Sequence, residues 1–229
     1  MSIITRLPSA FWPLVCAIAL TACSSLPAEK SAPTSGYLSK DVYAKLEKLE
    51  TDNNVDAMRW LDPRLNFTNY QKILIDNVVL YPEPVPGPQV SAETLEKIQA
   101  YLTQELVAKV STVVEVTNEP GPGVLRMDTA VTGVEIKMEG MQVYEVVPVA
   151  AVFGGVKALT GTRDRDVQVF LEVKFSDSQS GEVIGAAIRK IEGRQLEGMK
   201  DKLELEDMQE SLDTATDDAQ REISRVMAK

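Results

Sequence analysis

The chain has 229 residues, 44% hydrophobic and 25% charged, with 34 acidic against 24 basic side chains, two cysteines and no histidine. That length gives one domain, or a domain with an extension, able to bury a core without cross-links. The net charge of −10 argues against nucleic acid and against electrostatic docking on anionic lipid, and the missing histidine removes the Ser-His-Asp arrangement, the usual zinc ligands and the commonest general base.

Residues 1–22 have the layout of a secretory signal peptide: one basic residue, Arg6, then an apolar run from Phe11 to Leu20 that breaks at small residues. Leu20-Thr21-Ala22-Cys23 resembles the bacterial lipobox, in which the Cys thiol is linked to a diacylglycerol and the peptide is cut before it. Cys16 leaves with the leader, so Cys23 stands alone and no disulfide forms within the mature chain. An uncleaved membrane anchor is the alternative. The apolar stretch is short for a span, however, and holds Pro8 and Pro13. Ser24 follows the Cys; in the lipoproteins this resembles, Ser there permits export to the outer membrane, whereas Asp retains the protein in the inner one. Residues 23–36 then read as the lipidated Cys and a flexible tether, too polar and Pro-rich to order itself.

Residues 37–69 form an N-terminal extension. Val42, Leu46 and Leu49 predict a short amphipathic helix over Asp41–Glu50, and Trp60, Leu61, Pro63, Phe67 and Tyr70 a turn-rich stretch at the core edge, with a surface aromatic patch as the alternative. The main α+β domain is expected over 70–229. Ile73 to Leu80 reads as one largely buried strand split by Asp76-Asn77, ended by prolines at 82, 84, 86 and 88. Ser91 caps a helix with the stripe Leu95, Ile98, Leu102, Leu106 and Val110. Val113–Val116 is predicted as a strand and residues 118–123 as a hairpin loop. The return strand carries Leu125, Met127, Thr129 and Val131, with a bulge near Gly133. Val167 to Phe175 alternates with period two, broken by Phe170 on the outer face. Asp177–Glu182 turns the chain, Val183–Ile191 returns, and Met208, Leu212, Ala215, Ala219, Ile223 and Val226 mark a C-terminal amphipathic helix. The expected fold is a mixed, mainly antiparallel sheet of about five strands with two helices packed on one face, the first strand-helix-strand unit being a parallel crossover.

The residues offer little chemistry. There is no nucleophile elbow, phosphate loop or dinucleotide fingerprint, hence no expected cofactor or metal. Asp164 and Asp166 fit the spacing of a glycan-hydrolysing carboxylate pair, but read more simply as a solvated alternating-charge strand entry. The anomaly is the apolar segment 146–159. Val149, Val152, Phe153, Gly154 and Gly155 are its candidate interaction residues, against the simpler reading of a buried segment between hairpins.

Six stretches occur in a fixed order: the lipobox, Gly36-Tyr37-Leu38, Trp60-Leu61-Asp62-Pro63, Tyr70-Gln71-Lys72-Ile73-Leu74-Ile75-Asp76, Lys157-Ala158-Leu159-Thr160-Gly161 and Asp177-Ser178-Gln179-Ser180-Gly181-Glu182. Together they resemble a family of Gram-negative lipoproteins, domain of unknown function 3313. Ser180, where Thr is expected, departs mildly from the pattern and leaves the turn intact. The resemblance implies an outer-membrane lipoprotein facing the periplasm and assigns no catalytic residue. The expected function is a non-enzymatic binding or scaffolding module with an unidentified envelope protein as partner and the membrane held through acylated Cys23. The alternatives are a carboxylate-dependent glycan-acting enzyme and a small-molecule or lipid carrier using the groove between sheet and helices.

Overall fold

A computed structural model describes residues 35–49, 57–84, 89–138, 165–197 and 200–227, the backbone alone for 134–138 and 165–166. Eight strands rather than about five form one mixed sheet. They are β1 (Glu47–Leu49), β2 (Ala57–Leu61), β3 (Lys72–Ile75), β4 (Val79–Leu80), β5 (Glu115–Val116), β6 (Val124–Met138), β7 (Arg165–Asp177) and β8 (Val183–Glu192). The spatial order is β1-β2-β8-β7-β6-β3-β5, with β4 also on β6. The β1-β2-β8-β7-β6 ladders are antiparallel; β3 runs parallel to both β5 and β6, and β4 parallel to β6.

Among the described residues the two long helices are α2 (Ala92–Val110) and α3 (Gln209–Met227). Ser91 Oγ accepts from the Thr94 amide at 3.0 Å, satisfying one of the orphan donors at the start of α2. Leu95, Ile98, Leu102, Leu106 and Val110 are all buried, as their spacing predicts. They share a core with Leu125, Met127 and Val131 of β6, alternate residues of β7, and Leu212, Ala215 and Ile223 of α3. Both helices therefore cover one face of the sheet, and α2 is the crossover between parallel β3 and β5.

Four local expectations are corrected. Ile73–Leu80 is two strands. At the break the Val78 amide donates to Thr103 Oγ1 at 3.0 Å and Gln99 Nε2 donates to the Val78 carbonyl at 2.6 Å, so α2 satisfies the backbone that leaves the ladder. The strand after α2 begins at Glu115, not Val113, because the Val113 and Val114 amides still donate to the Val110 carbonyl. Ser111 and Thr112 hydroxyls also fold back onto Ala108 and Lys109 carbonyls. Residues 118–123 make no hairpin: β5 lies beside β3, and the loop crosses the start of β3, where the Gln71 amide donates to the Gly123 carbonyl at 2.9 Å. The expected bulge is present, as a register shift between Val131 and Gly133.

The fourth correction concerns the segment before residue 70. The predicted helix over 41–50 is a single turn, α1 (Lys40–Tyr43), capped by Ser39, after which the chain extends into β1. Trp60 and Leu61 lie in β2, where pairing with Gly185 and Ala186 of β8 overrides the turn reading. A Cβ on Gly185 would come within 2.9 Å of Leu61 Cδ2, so β2 approaches this closely only over glycine. Val42 and Leu46 pack with Leu38 on Ala186 and Ile188, on the face the helices leave open. No surface aromatic patch forms from Trp60, Phe67 and Tyr70: Trp60 joins that second cluster, Phe67 and Tyr70 the main core.

Replacing buried Leu102 by Ala costs about 2–5 kcal/mol, whereas Val107→Ala, on the exposed side of α2, changes stability by less than ~0.5 kcal/mol. Urea unfolding of both variants checks this; equal losses would mean that α2 does not dock through this stripe.

Candidate functional site

Three features on the described surface bear on function. The first is a strap over the open sheet face, residues 35–46. Tyr43 Oη donates to Glu172 Oε2 at 2.6 Å and accepts from the Gly36 amide at 3.1 Å and the Leu38 amide at 3.4 Å. Glu172 points to the outer face as its strand parity predicts, yet it is only 1% exposed, because the strap covers it. Burial first, then the hydrogen bond to Glu172, raises the Tyr43 phenol above its ordinary 10.0, so it stays a donor at all neutral pH values.

Beside the strap lies the second feature, a charged cluster. Arg126 Nε bonds Asp76 Oδ2 at 2.6 Å, and Lys174 Nζ approaches Asp128 Oδ2 at 3.4 Å. Tyr37 roofs it, with Lys174 Nζ 5.7 Å from the ring centroid and Tyr81 packed edge-on at 5.5 Å. Burial, and then the hydrogen bond that protonated Asp128 donates to the Asp76 carboxylate, raise the Asp128 carboxyl above its ordinary value, while Lys174 and Arg126 pull it down. Burial together with Asp128 and Asp76 raises the Tyr37 phenol to about 12. Perturbed carboxyls of this kind mark catalytic centres in some proteins and structural networks in others. Here each carboxyl faces a cation and the Tyr37 ring closes over them.

The third feature is an apolar cleft of about 50 Å³ under the last turns of α3, lined chiefly by Leu61, Phe67, Phe175, Ile223, Val226 and Met227. An Arg59–Glu222 ion pair stands at its edge. The volume is about a third of the ~150 Å³ that admits benzene in an apolar protein cavity. It takes the tip of one apolar side chain and is too small to enclose a lipid.

Cys23, Ser24, Val149, Val152, Phe153, Gly154, Gly155 and Asp164 lie outside the described residues. Asp166 enters β7 opposite Lys137. The Asp177 turn forms as predicted: Asp177 Oδ1 accepts from the Ser180 amide at 2.8 Å and the Gln179 amide at 3.1 Å, and Gly181 has φ 72°. These donors, Ser180 foremost, hold the Asp177 carboxyl below its ordinary value, and the loop is a turn rather than a metal site. Sequence reasoning missed both the Tyr43–Glu172 clamp and the Asp76–Asp128 pair. Glu172 carried no signal of its own, since an acidic residue at an outward position of an alternating strand reads as solvated.

Tyr43→Phe removes the clamp's proton and two amide acceptor contacts, at a cost of about 1–3 kcal/mol. Hydrogen exchange quickens over residues 36–46 and stays unchanged in α2; unchanged exchange in the strap would refute the clamp. Because the folded-state value of Asp128 is raised, its protonated form stabilises the fold at low pH, and that contribution is lost as pH rises through the raised value. Asp76→Asn moves the Asp128 carboxyl titration downward, followed by carboxyl-carbon NMR, and an unmoved midpoint would show that the two do not interact.

Comparison with known proteins finds similar bacterial chains. The chain is 29% identical over 202 residues to the uncharacterized lipoprotein YdcL of Escherichia coli K12, spanning 88% of this chain and 90% of that protein. Among solved structures, a PelC dodecamer from Paraburkholderia phytofirmans matches at 13% identity and a TM-score of 0.35, covering 72% of this chain and 95% of that one. A minor lipoprotein from Acinetobacter baumannii matches at 14% identity and a TM-score of 0.29, covering 69% and 92%. The profile of the DUF3313 family, proteins of unknown function, matches residues 33–219. That span runs from the start of the strap into α3 and takes in every strand of the sheet, so the chain belongs to the DUF3313 family.

Proposed function

We propose that this chain is a lipoprotein of the bacterial outer membrane, acylated at Cys23, facing the periplasm and acting there as a non-enzymatic binding or scaffolding module. The leader and lipobox support the anchoring, as does the name of the Escherichia coli relative; Ser24 supports the outer-membrane destination. The observation that carries the binding reading is the cleft under α3, whose walls are hydrocarbon and hold no nucleophile or free acid–base pair. Such a surface recognises shape and apolarity and has nothing with which to make or break a bond. The cleft receives an apolar side chain of an envelope protein, with the Arg59–Glu222 pair as a polar rim. The apolar segment with Val149, Val152, Phe153, Gly154 and Gly155 is a second contact region of the same module.

Photo-crosslinking in cells, with the reactive residue placed at Val226, at Phe153 or at exposed Val107, tests this reading. A discrete adduct is expected from positions 226 and 153 and none from 107. Absence of an adduct at both positions would count decisively against a binding role.

A further inference from the structure

Where α3 meets β2 and β8, four arginines crowd together on an acidic chain. Arg59 and Arg189 are diagonal neighbours in the sheet, since Ala57 pairs with Arg189 and Arg59 with Ala187. Arg221 and Arg225 stand one helical turn apart on α3. Asp218 pairs with Arg189 and Arg221, and Glu222 with Arg59 and Arg225, each through one terminal guanidinium nitrogen. Glu47, opposite Arg59 on β1, is a third acid. Among the described residues, four cations thus meet three acids here, on a chain of net charge −10.

The donors are in excess as well. A guanidinium offers five N–H groups, and a pair made through one nitrogen leaves most of the fork unused. Arg189 Nε is buried with no hydrogen-bond partner. Burial, and then the like charge of Arg221, lower the Arg189 guanidinium from its ordinary value, so the two cations feel each other despite the shared Asp218. Arg221 and Arg225, 61% and 52% exposed, repel each other at i and i+4. Next to them opens the apolar cleft, which Arg59 and Glu222 line together with Ile223, Val226 and Met227.

We propose that this place recognises a peptide carboxylate: the acid sits between Arg221 and Arg225, and the apolar side chain beside it enters the cleft. This rests on the cleft reading above and names the chemistry of its partner. Size and charge decide the ligand. At about 50 Å³ the cleft holds one side-chain tip and no acyl chain, so an anionic lipid gains nothing there beyond its headgroup. A carboxylate bridging the two exposed guanidiniums relieves their repulsion and takes fork positions that Asp218 and Glu222 leave open. The acid is either the end of a partner chain or the side chain of a neighbouring Asp or Glu, since both present the same two oxygens. A hydrocarbon cleft alone accepts any exposed leucine; the arginines restrict it to those that carry an acid alongside.

The test titrates three peptides into the full lipidated chain in phosphatidylcholine nanodiscs, followed by methyl NMR at Ile223, Val226 and Met227. The probes are acetyl-Gly-Leu with a free carboxylate, its amide, and acetyl-Asp-Leu amide. At least one acidic peptide should shift these methyls and bind about ten-fold tighter than the neutral amide, an advantage that shrinks as salt is raised. The tighter acid tells whether a chain end or a side chain is the source. Arg221→Gln combined with Arg225→Gln should bring the acids down to the affinity of the amide, with unmoved Leu102 methyls showing that the fold persists. Lys97→Gln on α2 should leave the acids tight. Equal binding of acids and amide overturns the carboxylate site and leaves the cleft reading intact. No methyl shift from any peptide overturns both. Acetate binding as tightly as the acidic peptides reduces the patch to a general anion surface and overturns the proposal. The same methyls shifting when phosphatidylglycerol is added without peptide assigns the surface to lipid and overturns it too.

Discussion

A carboxyl at the middle of a sheet, 1% exposed, dictates much of what surrounds it. Burying such a group without a partner costs several kcal/mol, and for Glu172 the phenolic proton of Tyr43 is a partner. Delivering that proton requires a turn of helix capped by Ser39, and an anchorage for it. Val42 and Leu46 supply the anchorage by packing on Ala186 and Ile188 of β8. The same phenol then accepts the Gly36 and Leu38 amides, so the path of the chain from Ser35 onward is fixed to the outer face of the sheet. A glutamate in β7 thereby determines where residues 35–46 lie on the sheet.

The helical face is held on different terms. Its core is hydrocarbon, but α3 brings a dense set of acids to it, and Asp213 and Asp217 lie four apart, where like charges repel. The repulsion is relieved by groups on neighbouring elements. Lys109 of α2 reaches Asp217 Oδ1 at 2.7 Å and the Asp213 carbonyl at 3.0 Å; Tyr101 donates to Asp213 Oδ1 at 2.5 Å. On the sheet side Arg189 pairs with Asp218 and Arg59 with Glu222. The acids of α3 thus pin one helix to both α2 and the β2–β8 edge, and together with the apolar stripe they set the rotation of α3 about its axis. That rotation leaves Ile223, Val226 and Met227 over the cleft.

The elements whose burial follows from their own spacing were legible in the sequence. The stripe of α2, the alternation along β7, the bulge near Gly133 and the Asp177 turn each depend on contacts a few residues away or on one-sided burial. What stayed hidden depends on partners far along the chain. β1 exists because Glu47–Leu49 pairs with Ala57–Arg59, and β2 because Gly185 has no side chain to keep it away. Helical spacing of Val42, Leu46 and Leu49 could not reveal that the chain turns after Tyr43, since the spacing of Val42 and Leu46 serves the packed strap equally well. The Asp76–Asp128 pair was invisible for the same reason, because parallel pairing of β3 with β6 brings together residues separated by the whole of α2.

A soluble protein must offset about 4–15 kcal/mol of lost translational and rotational freedom before a contact persists. Burying a methylene returns only about 0.8 kcal/mol. A 50 Å³ cleft would be a poor recognition surface for a protein diffusing freely in solution. For a domain moored through Cys23 as proposed, much of that freedom is already surrendered to the anchor, and partners resident in the same membrane share the same narrow layer. Weak, sequence-tolerant contacts then suffice for the binding role proposed above. That modest cleft therefore fits the anchored module proposed above better than a freely diffusing one.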